Sequence, residues 1–475
     1  MLFVCVSVSA RTLDWEWWPI GFQDTATTQM DTVHWMAGVS AVASYGEYAP
    51  FWLHHNTNGD VSSSPFSGNI TAGIYKPERS SSRWWDFDFA VQLTGRVQHP
   101  ASGTGYLNLA YGHVRLLFFD ITAGIKPMIY ETQDTLLSSG SLLFSENSHP
   151  IPRITIGIEH FTPIPGLFGY LEIKGGMTHG WLVDNAYLRG SYLHHKWLGL
   201  RAGGKLPVNI SYEFHHAAQW GGISPEYGDI GSGWSDFLHV LLAQSGGVMY
   251  SDRTNALGNH LGSQQLMVTG KGQGWEVNVY WQNLLEDNFE LIGKGQNLTD
   301  GLWGICMKQN RWPFIQGVTY EFLNTTGQSG PWHDLDGLCY AGNDQYYRNS
   351  IFENGWTYFS RTIGTPFITS PLYNKDGTLY TLNNRVMAHH FGMRGDIYGF
   401  RYIAKISHAR NYGVDNTSRA VLSNNTAVLL EVNKVVPQAW GLHFGLRLAA
   451  DFGTQFGNQF GAQITIRKDG VIGDW

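Results

Sequence analysis

Ring and polar side chains are densest between Asn324 and Val386. There Trp332, Tyr340, Tyr346, Tyr347, Trp356, Tyr358, Tyr373 and Tyr380 are interleaved with Asp334, Asp336, Asn343, Asp344, Gln345 and Arg348. An aromatic face covers the C–H side of a pyranose, while short amides and carboxylates bind its hydroxyls. Trp332, Asp334, Asp336, Tyr346, Tyr347, Arg348 and Trp356 are therefore candidates for contact with a polysaccharide. The same composition equally suits a loop that packs its own aromatics into an enclosed space, and the sequence leaves both readings open.

Other groupings carry less. His54-His55, His194-His195, His215-His216 and His389-His390 suggest metal ligands. On a strand, however, adjacent side chains point to opposite faces and cannot share one ion. No Cys-x-x-Cys or His-x-x-x-His spacing supports them, so no metal is expected. Asp334 with Asp336, and Glu286 with Asp287, are carboxylate pairs of the kind glycosidases use, but such pairs are common in exposed loops. There is no Gly-x-Ser-x-Gly elbow and no phosphate loop, so neither catalysis nor a cofactor is expected.

The elements that position these residues follow from composition and period. The chain has 475 residues, of which 57 are Gly; charged residues make up 15% and hydrophobic ones 43%. Aromatics are many, with 19 Trp, 23 Tyr and 25 Phe. Such a chain is neither disordered nor a coiled coil. A net charge of -7 gives no basic footprint for nucleic acid. No stretch approaches the roughly 20 apolar residues of a membrane helix. The apolar segment 1–10 ends Val8-Ser9-Ala10 before Arg11, like the tail of a cleaved secretory signal that begins upstream. Cys5 follows Val4, too large a residue for a lipoprotein box. Cys306 and Cys339 then remain, too few for a disulfide framework, and whether they pair stays open.

The dominant period is two. Trp85, Phe87, Phe89, Val91 and Leu93 fall on one face and Asp86, Asp88, Ala90, Gln92 and Thr94 on the other. Leu117–Lys126, Arg153–Glu159, Val208–Phe214, Trp275–Gln282, Phe400–Ser407, Val428–Val435, Leu442–Ala450 and Phe460–Arg467 alternate likewise. Strands of this kind, separated by both tight turns and long loops, are the pattern of a transmembrane β-barrel. The fold expected is all-β: an antiparallel barrel of about 16–18 strands with long extracellular loops. The expected divisions are 1–10 as residual signal, 11–36 as a short periplasmic segment and 37–475 as a monomeric barrel in the outer-membrane lipid of a Gram-negative bacterium. Asp469 and Arg467 disturb the alternation near the end, so the last strand is expected over Phe460–Arg467.

Trp84, Trp85, Trp197, Trp275 and Trp281 suit the aromatic belts at the membrane interfaces, and Gly124, Gly157, Gly203 and Gly445 suit the inner face. Irregular stretches are expected at 54–68, 96–106, 130–152, 219–264, 283–312, 324–386 and 408–426. Arg385, Arg394, Arg401 and Arg410 are expected to line the lumen, facing carboxylates such as Asp86, Asp88 and Glu159. Gln219-Trp220-Gly221-Gly222 leaves a strand into a turn of positive φ.

Several segments resemble the capsule assembly Wzi family, in particular its Bacteroidetes-type members. They are Ala49–Leu53 (APFWL), Asn147–Ile158 (NSHPIPRITIGI), His215–Gly222 (HHAAQWGG), Gly258–Ser263, Leu379–Met393 and Ser407–Gly413. The resemblance implies an outer-membrane barrel of about 18 strands acting as a surface lectin that helps attach capsular or other exported polysaccharide, and not an enzyme. It departs from the family in having only Arg11 to about Met36 before the first strand, too short for the periplasmic helical bundle of the best-described members. A porin or glycan transport channel is the alternative, since it would share the same barrel.

Overall fold

The computed structural model describes residues 32–78, 84–100, 102–129, 134–246, 256–286, 299–328, 333–335, 338–340, 344–414 and 421–474. The expected signal segment and most of 11–36 lie outside these residues.

Eighteen strands form one closed sheet. They are β1 (Thr32–Tyr45), β2 (Phe66–Lys76), β3 (Trp85–His99), β4 (Ser102–Leu116), β5 (Phe119–Ile125) and β6 (Pro152–Pro163). Next come β7 (Leu171–Leu182), β8 (Ser191–Ala202), β9 (Val208–Trp220), β10 (Asn259–Gly272), β11 (Trp275–Glu286) and β12 (Gly301–Gln309). The last six are β13 (Gly317–Asn324), β14 (Val386–Ile397), β15 (Phe400–Asn411), β16 (Ser423–Val436), β17 (Leu442–Gly453) and β18 (Gln459–Asp474). Each pairs antiparallel with the next, and β1 closes on β18 from Thr32↔Asp474 to Tyr45↔Phe460. Closure joins the first strand to the last, so the membrane-spanning ladder presents no open edge strand to lipid.

The period of two becomes two walls. On β3 the even residues Asp86, Asp88, Gln92 and Thr94 are buried in the interior, while Phe87, Val91, Leu93 and Val97 are exposed outward. Connections are all short at one end of the barrel, such as 117–118, 273–274 and 398–399, while the other end carries the long ones, such as 46–65, 126–151, 221–258 and 325–385, beside the tight 100–101 hairpin. In outer-membrane barrels the short turns are periplasmic and the long loops extracellular. Exposed rings encircle the short-turn end: Trp84, Trp85, Phe118, Phe119, Phe168, Tyr170, Trp275, Trp312, Phe314, Tyr398, Phe400 and Trp440. Such a girdle marks the membrane interface. Gly157 is required where β6 and β7 meet, because a Cβ there would lie 2.6 Å from the Gly175 carbonyl oxygen.

Some expectations change. Trp197 is on the inward face of β8 and buried, so it is not a belt residue, and Gly203 lies in the turn after β8. Trp281 points outward but is covered, its ring 5.7 Å from that of Trp303. The stretch 96–106 is largely strand, because β3 and β4 run 15 residues each to a tight hairpin. The stretch 283–312 contains β12, a strand whose Gly residues hid its alternation. The last strand continues to Asp474: Arg467 and Asp469 both face inward and pair at 3.5 Å, so they obey the alternation.

Candidate functional site

Three long-loop segments, 46–65, 126–151 and 325–385, fold into the long-loop end of the barrel. One continuous apolar cluster joins them, including Phe51, Trp52 and Leu53 from the first, Leu142, Leu143 and Phe144 from the second, and Tyr346, Tyr347, Trp356 and Phe367 from the third. Inward residues of the wall, among them Leu193, Ala217, Leu261, Leu284, Leu323 and Ala388, complete it.

The short helix Phe51–His54 is bound from the β15–β17 side. Phe51 N donates to Asp451 Oδ2 at 2.8 Å, Trp52 Nε1 to Ser407 Oγ at 3.0 Å, and Arg447 to the carbonyls of Trp52 and Leu53 at 2.7 and 3.0 Å. The second segment is held from other strands. Ser138 Oγ and Ser139 N each donate to Glu321 at 2.7 Å, Leu142 N to Gln282 Oε1 at 3.3 Å, and His390 Nε2 lies 2.6 Å from the Leu137 carbonyl. The Phe144 ring stands 4.8 Å from that of His195.

The loops also bind one another. Trp356 Nε1 donates to the Leu143 carbonyl at 2.9 Å, and Tyr347 OH donates to that of Leu142. Asn147 Nδ2 donates to the Thr362 carbonyl at 3.0 Å, which turns its Oδ1 toward His55 Nδ1, 2.5 Å away. Burial and the nearby Arg361 guanidinium hold His55 down to about 3, so its ring is neutral. The remaining protons then have one consistent order. His55 Nδ1–H donates to Asn147, Tyr373 OH donates to His55 Nε2 at 3.0 Å, and His54 Nε2–H donates to Tyr373 at 2.9 Å. Arg361 lies at the far end, 3.3 Å from His54 Nδ1, and donates to the carbonyls of His54 and Val61 at 3.0 Å each. These tautomers are assigned from the network. A fully satisfied buried network of this kind fixes one packing of the loops.

Of the sequence-derived candidates, Tyr346, Tyr347 and Trp356 are fully buried and hold the plug together. Their rings have no exposed face in this arrangement. Arg348 is different: half-buried at the outer surface, it stacks 4.7 Å from the ring centre of the half-buried Tyr380. Asn374 fixes the Tyr380 segment by donating to the carbonyls of Thr378 and Tyr380 at 2.7 and 2.8 Å. Asp334 falls in the short strand His333–Leu335, and Trp332 and Asp336 lie outside the described residues.

The arginines divide. Arg394 faces the lumen and pairs with buried Asp134 at 3.1 Å. Arg401 also faces inward, and Arg385 is buried just before β14. Arg410 is a correction: it is exposed on the outward side of β15, because nine residues from Arg401 is an odd step along a strand of period two. Asp86 and Asp88 serve a different arc of the wall, Asp86 lying 3.6 Å from Lys76 and Asp88 bonded to His113. Glu159 accepts from Thr122 at 3.4 Å. Gln219 is buried on the inner face at the end of β9, bonded to Asn259 at 2.8 Å, whereas Trp220, one residue on, faces outward and is buried against Phe237, so it does not line the lumen; Gly221 and Gly222 follow with φ of 65° and 102°.

The histidine pairs split across the wall as the strand period requires: His195 and His215 face in, His194 and His216 out. His54-His55 differs, because it lies in and just after a helix. Glu78, Asp88 and His113 bring ligand atoms within 4.8 Å of one another. However, Arg115 holds Glu78, and both ring nitrogens of His113 face carboxylates, so the group is an ion-pair network of the wall. Cys306 is a buried free thiol on the inner face of β12. Spacing gave no sign of Arg361. The only sequence signal is an arginine placed just before the largely apolar Ile363–Ile368.

Fold and site together define a transmembrane barrel of the outer-membrane type whose extracellular end is occupied by its own loops. The structure is similar to that of Wzi of Escherichia coli, described as an outer-membrane protein involved in group 1 capsule assembly and a carbohydrate-binding β-barrel. The TM-score is 0.58 at 14% identity, over 91% of this chain and 84% of that one. OccK5 (OpdH) of Pseudomonas aeruginosa gives 0.46 at 8% identity, over 94% and 100%. A BenF-like porin from Pseudomonas fluorescens Pf-5 gives 0.47 at 9%, over 94% and 100%, and at this level neither likeness carries an argument. No protein-family model matches the sequence, and no curated protein does.

Proposed function

We propose that this chain is a surface polysaccharide-binding barrel that anchors capsular or other exported glycan at the outer membrane and assists capsule assembly, without catalysing a reaction. The observation that carries the reading is the plug. Loops from three parts of the sequence fill the extracellular end of the lumen with a hydrogen-bonded apolar core, which suits a rigid outward platform better than a conduit. The carbohydrate binding described for Wzi agrees with this reading. Glycan contact is assigned to the outer crown, at Arg348 with Tyr380, where a guanidinium and a ring offer hydroxyl binding and stacking together. Trp332, Asp334 and Asp336 remain candidates on sequence grounds.

The test is glycan-array binding by the detergent-purified barrel, with capsule fractions of the source cells included. Selective binding that Arg348→Ala and Tyr380→Ala each weaken about tenfold is expected, the loss of roughly one good polar or stacking contact. Absence of binding to every glycan by a barrel with intact heat-modifiability, together with stepwise conductance in planar bilayers, would overturn this reading in favour of a channel.

A further inference from the structure

The outward face of β7–β10 has a composition unlike the rest of the wall. Strand register sets His179 beside His194, His194 beside Ala218, and Ala218 beside His260. The next outward row holds Met177, Lys196, His216 and Gly262. Immediately below come Gly175, Leu198, Phe214 and Gln264, the last accepting from Tyr212 OH at 2.8 Å, and then Leu200, Tyr212 and Leu266, where the wall is again largely apolar and lipid-facing. Imidazole and ammonium groups facing hydrocarbon cost several kcal/mol each on general grounds, yet here they sit directly above the apolar rows.

A segment of the 221–258 loop covers them. The helix Trp234–Leu242 lies outside the barrel against this patch: Phe237 is 5.9 Å from His179, 5.7 Å from His194 and 5.7 Å from Trp220, measured between ring centres. Val240 is fully buried with Ala218, Trp220 and Leu257. Lys196 reaches past the patch to the Leu241 carbonyl, neutralising the helix C-terminus. A second side of the helix, beginning at Trp234, whose ring also stacks 5.3 Å from that of Phe237, is exposed among the described residues. Trp234, Leu238 and Leu242, spaced by four residues, are 74%, 39% and 61% exposed. An apolar stripe of this spacing must be buried against something.

We infer that the helix Trp234–Leu242 lies in the outer-leaflet interface of the membrane, its inner face sealing the histidine patch and its Trp234–Leu238–Leu242 stripe entering the lipid. The stripe continues the apolar wall upward from Leu198, Leu200 and Leu266, which is why lipid, not water, is assigned as its occupant. At about 1.5 Å per residue the nine-residue helix spans about 13 Å, enough to cover several of the strands beneath it. It stands where a ring girdle would otherwise be.

The test is spin labelling of the full chain in phospholipid vesicles, in a background with Cys5→Ala, Cys306→Ala and Cys339→Ala. Leu238→Cys and Leu242→Cys carry the label, with Val268→Cys on the mid-wall as lipid reference and Asp376→Cys in the 325–385 loop as water reference. Both helix sites are exposed, so the label does not disturb the fold. The expected result is relaxation by oxygen several-fold stronger than by a water-soluble nickel chelate, as at residue 268. Chelate access equal to that at residue 376 would overturn the proposal. Protection from both reagents would overturn it too, because it would mean a second copy of the chain covers the stripe.

Discussion

If the three loops form one packed plug, removing a side chain from its centre opens the lumen without unfolding the barrel. Trp356 is the sharpest perturbation. It is fully buried, its ring lies 5.9 Å from that of Phe144, and its indole N–H donates to the Leu143 carbonyl at 2.9 Å. Its backbone also accepts from Ile363 N at 3.0 Å, so the side chain sits where the second and third loops meet. Trp356→Ala removes a buried indole and leaves a carbonyl unsatisfied, at a cost of about 3–5 kcal/mol. None of that cost falls on the strand ladders, so it is expressed as undocking of the loops. At about 1.4 kcal/mol per decade the undocked population rises roughly a hundred- to a few thousand-fold. Trp356→Phe keeps most of the apolar volume and loses the hydrogen bond, with a cost of about 1–2 kcal/mol. The assay is long planar-bilayer recording, paired with extracellular proteolysis in vesicles. The wild type is expected closed and resistant, Trp356→Ala to show transient openings and cleavage in 325–385, and Trp356→Phe to lie between. A Trp356→Ala barrel as closed and resistant as wild type would refute the plug as a packed unit.

Two further outcomes follow from the same interior. Burial pushes Glu146 up to about 7, and Asn58 Nδ2, 3.3 Å away, only partly opposes this. A carboxyl with a folded value above its unfolded one stabilises the fold when protonated, so its contribution is complete below about pH 4 and is lost as pH rises through about 7. Protease resistance of the plug should fall from pH 5 to pH 8 and Glu146→Gln should flatten the slope; resistance rising over that window would contradict the assignment. Arg394 and Asp134 form a buried pair at 3.1 Å. Arg394→Met leaves Asp134 with Lys308 at 4.0 Å, so it should cost less than the about 3–5 kcal/mol of a wholly unpaired buried charge, and Arg394→Met with Asp134→Leu should recover part of it, read from urea unfolding in micelles. Equal losses in the single and double variants would show that the pair does not act as a unit.

The architecture was legible because a barrel wall obeys a period of two with little interference. Asp86 and Asp88 against Phe87 and Val91 declare their faces in the sequence, and the structure keeps them. The errors share a cause: local alternation carries no depth coordinate. Trp197 reads as a belt residue until the register beside His215 places it inside. Arg410 reads as part of a ladder until the odd step from Arg401 is counted against an actual strand. The plug was less legible for a deeper reason. Its decisive contacts join residues hundreds of positions apart, as His54 and Arg361 do, and neither partner advertises the other. The sequence did place Ala49–Leu53 and the segment beginning at Asn147 among the familiar segments. What it could not say is that Asn147 and His55 meet across the lumen, where one amide orientation sets the protons of two histidines and a tyrosine. Aromatic residues in a long loop are therefore ambiguous by composition alone. Tyr347 and Trp356 belong to the core and Tyr380 to the surface, and only closure of the barrel around them decides which.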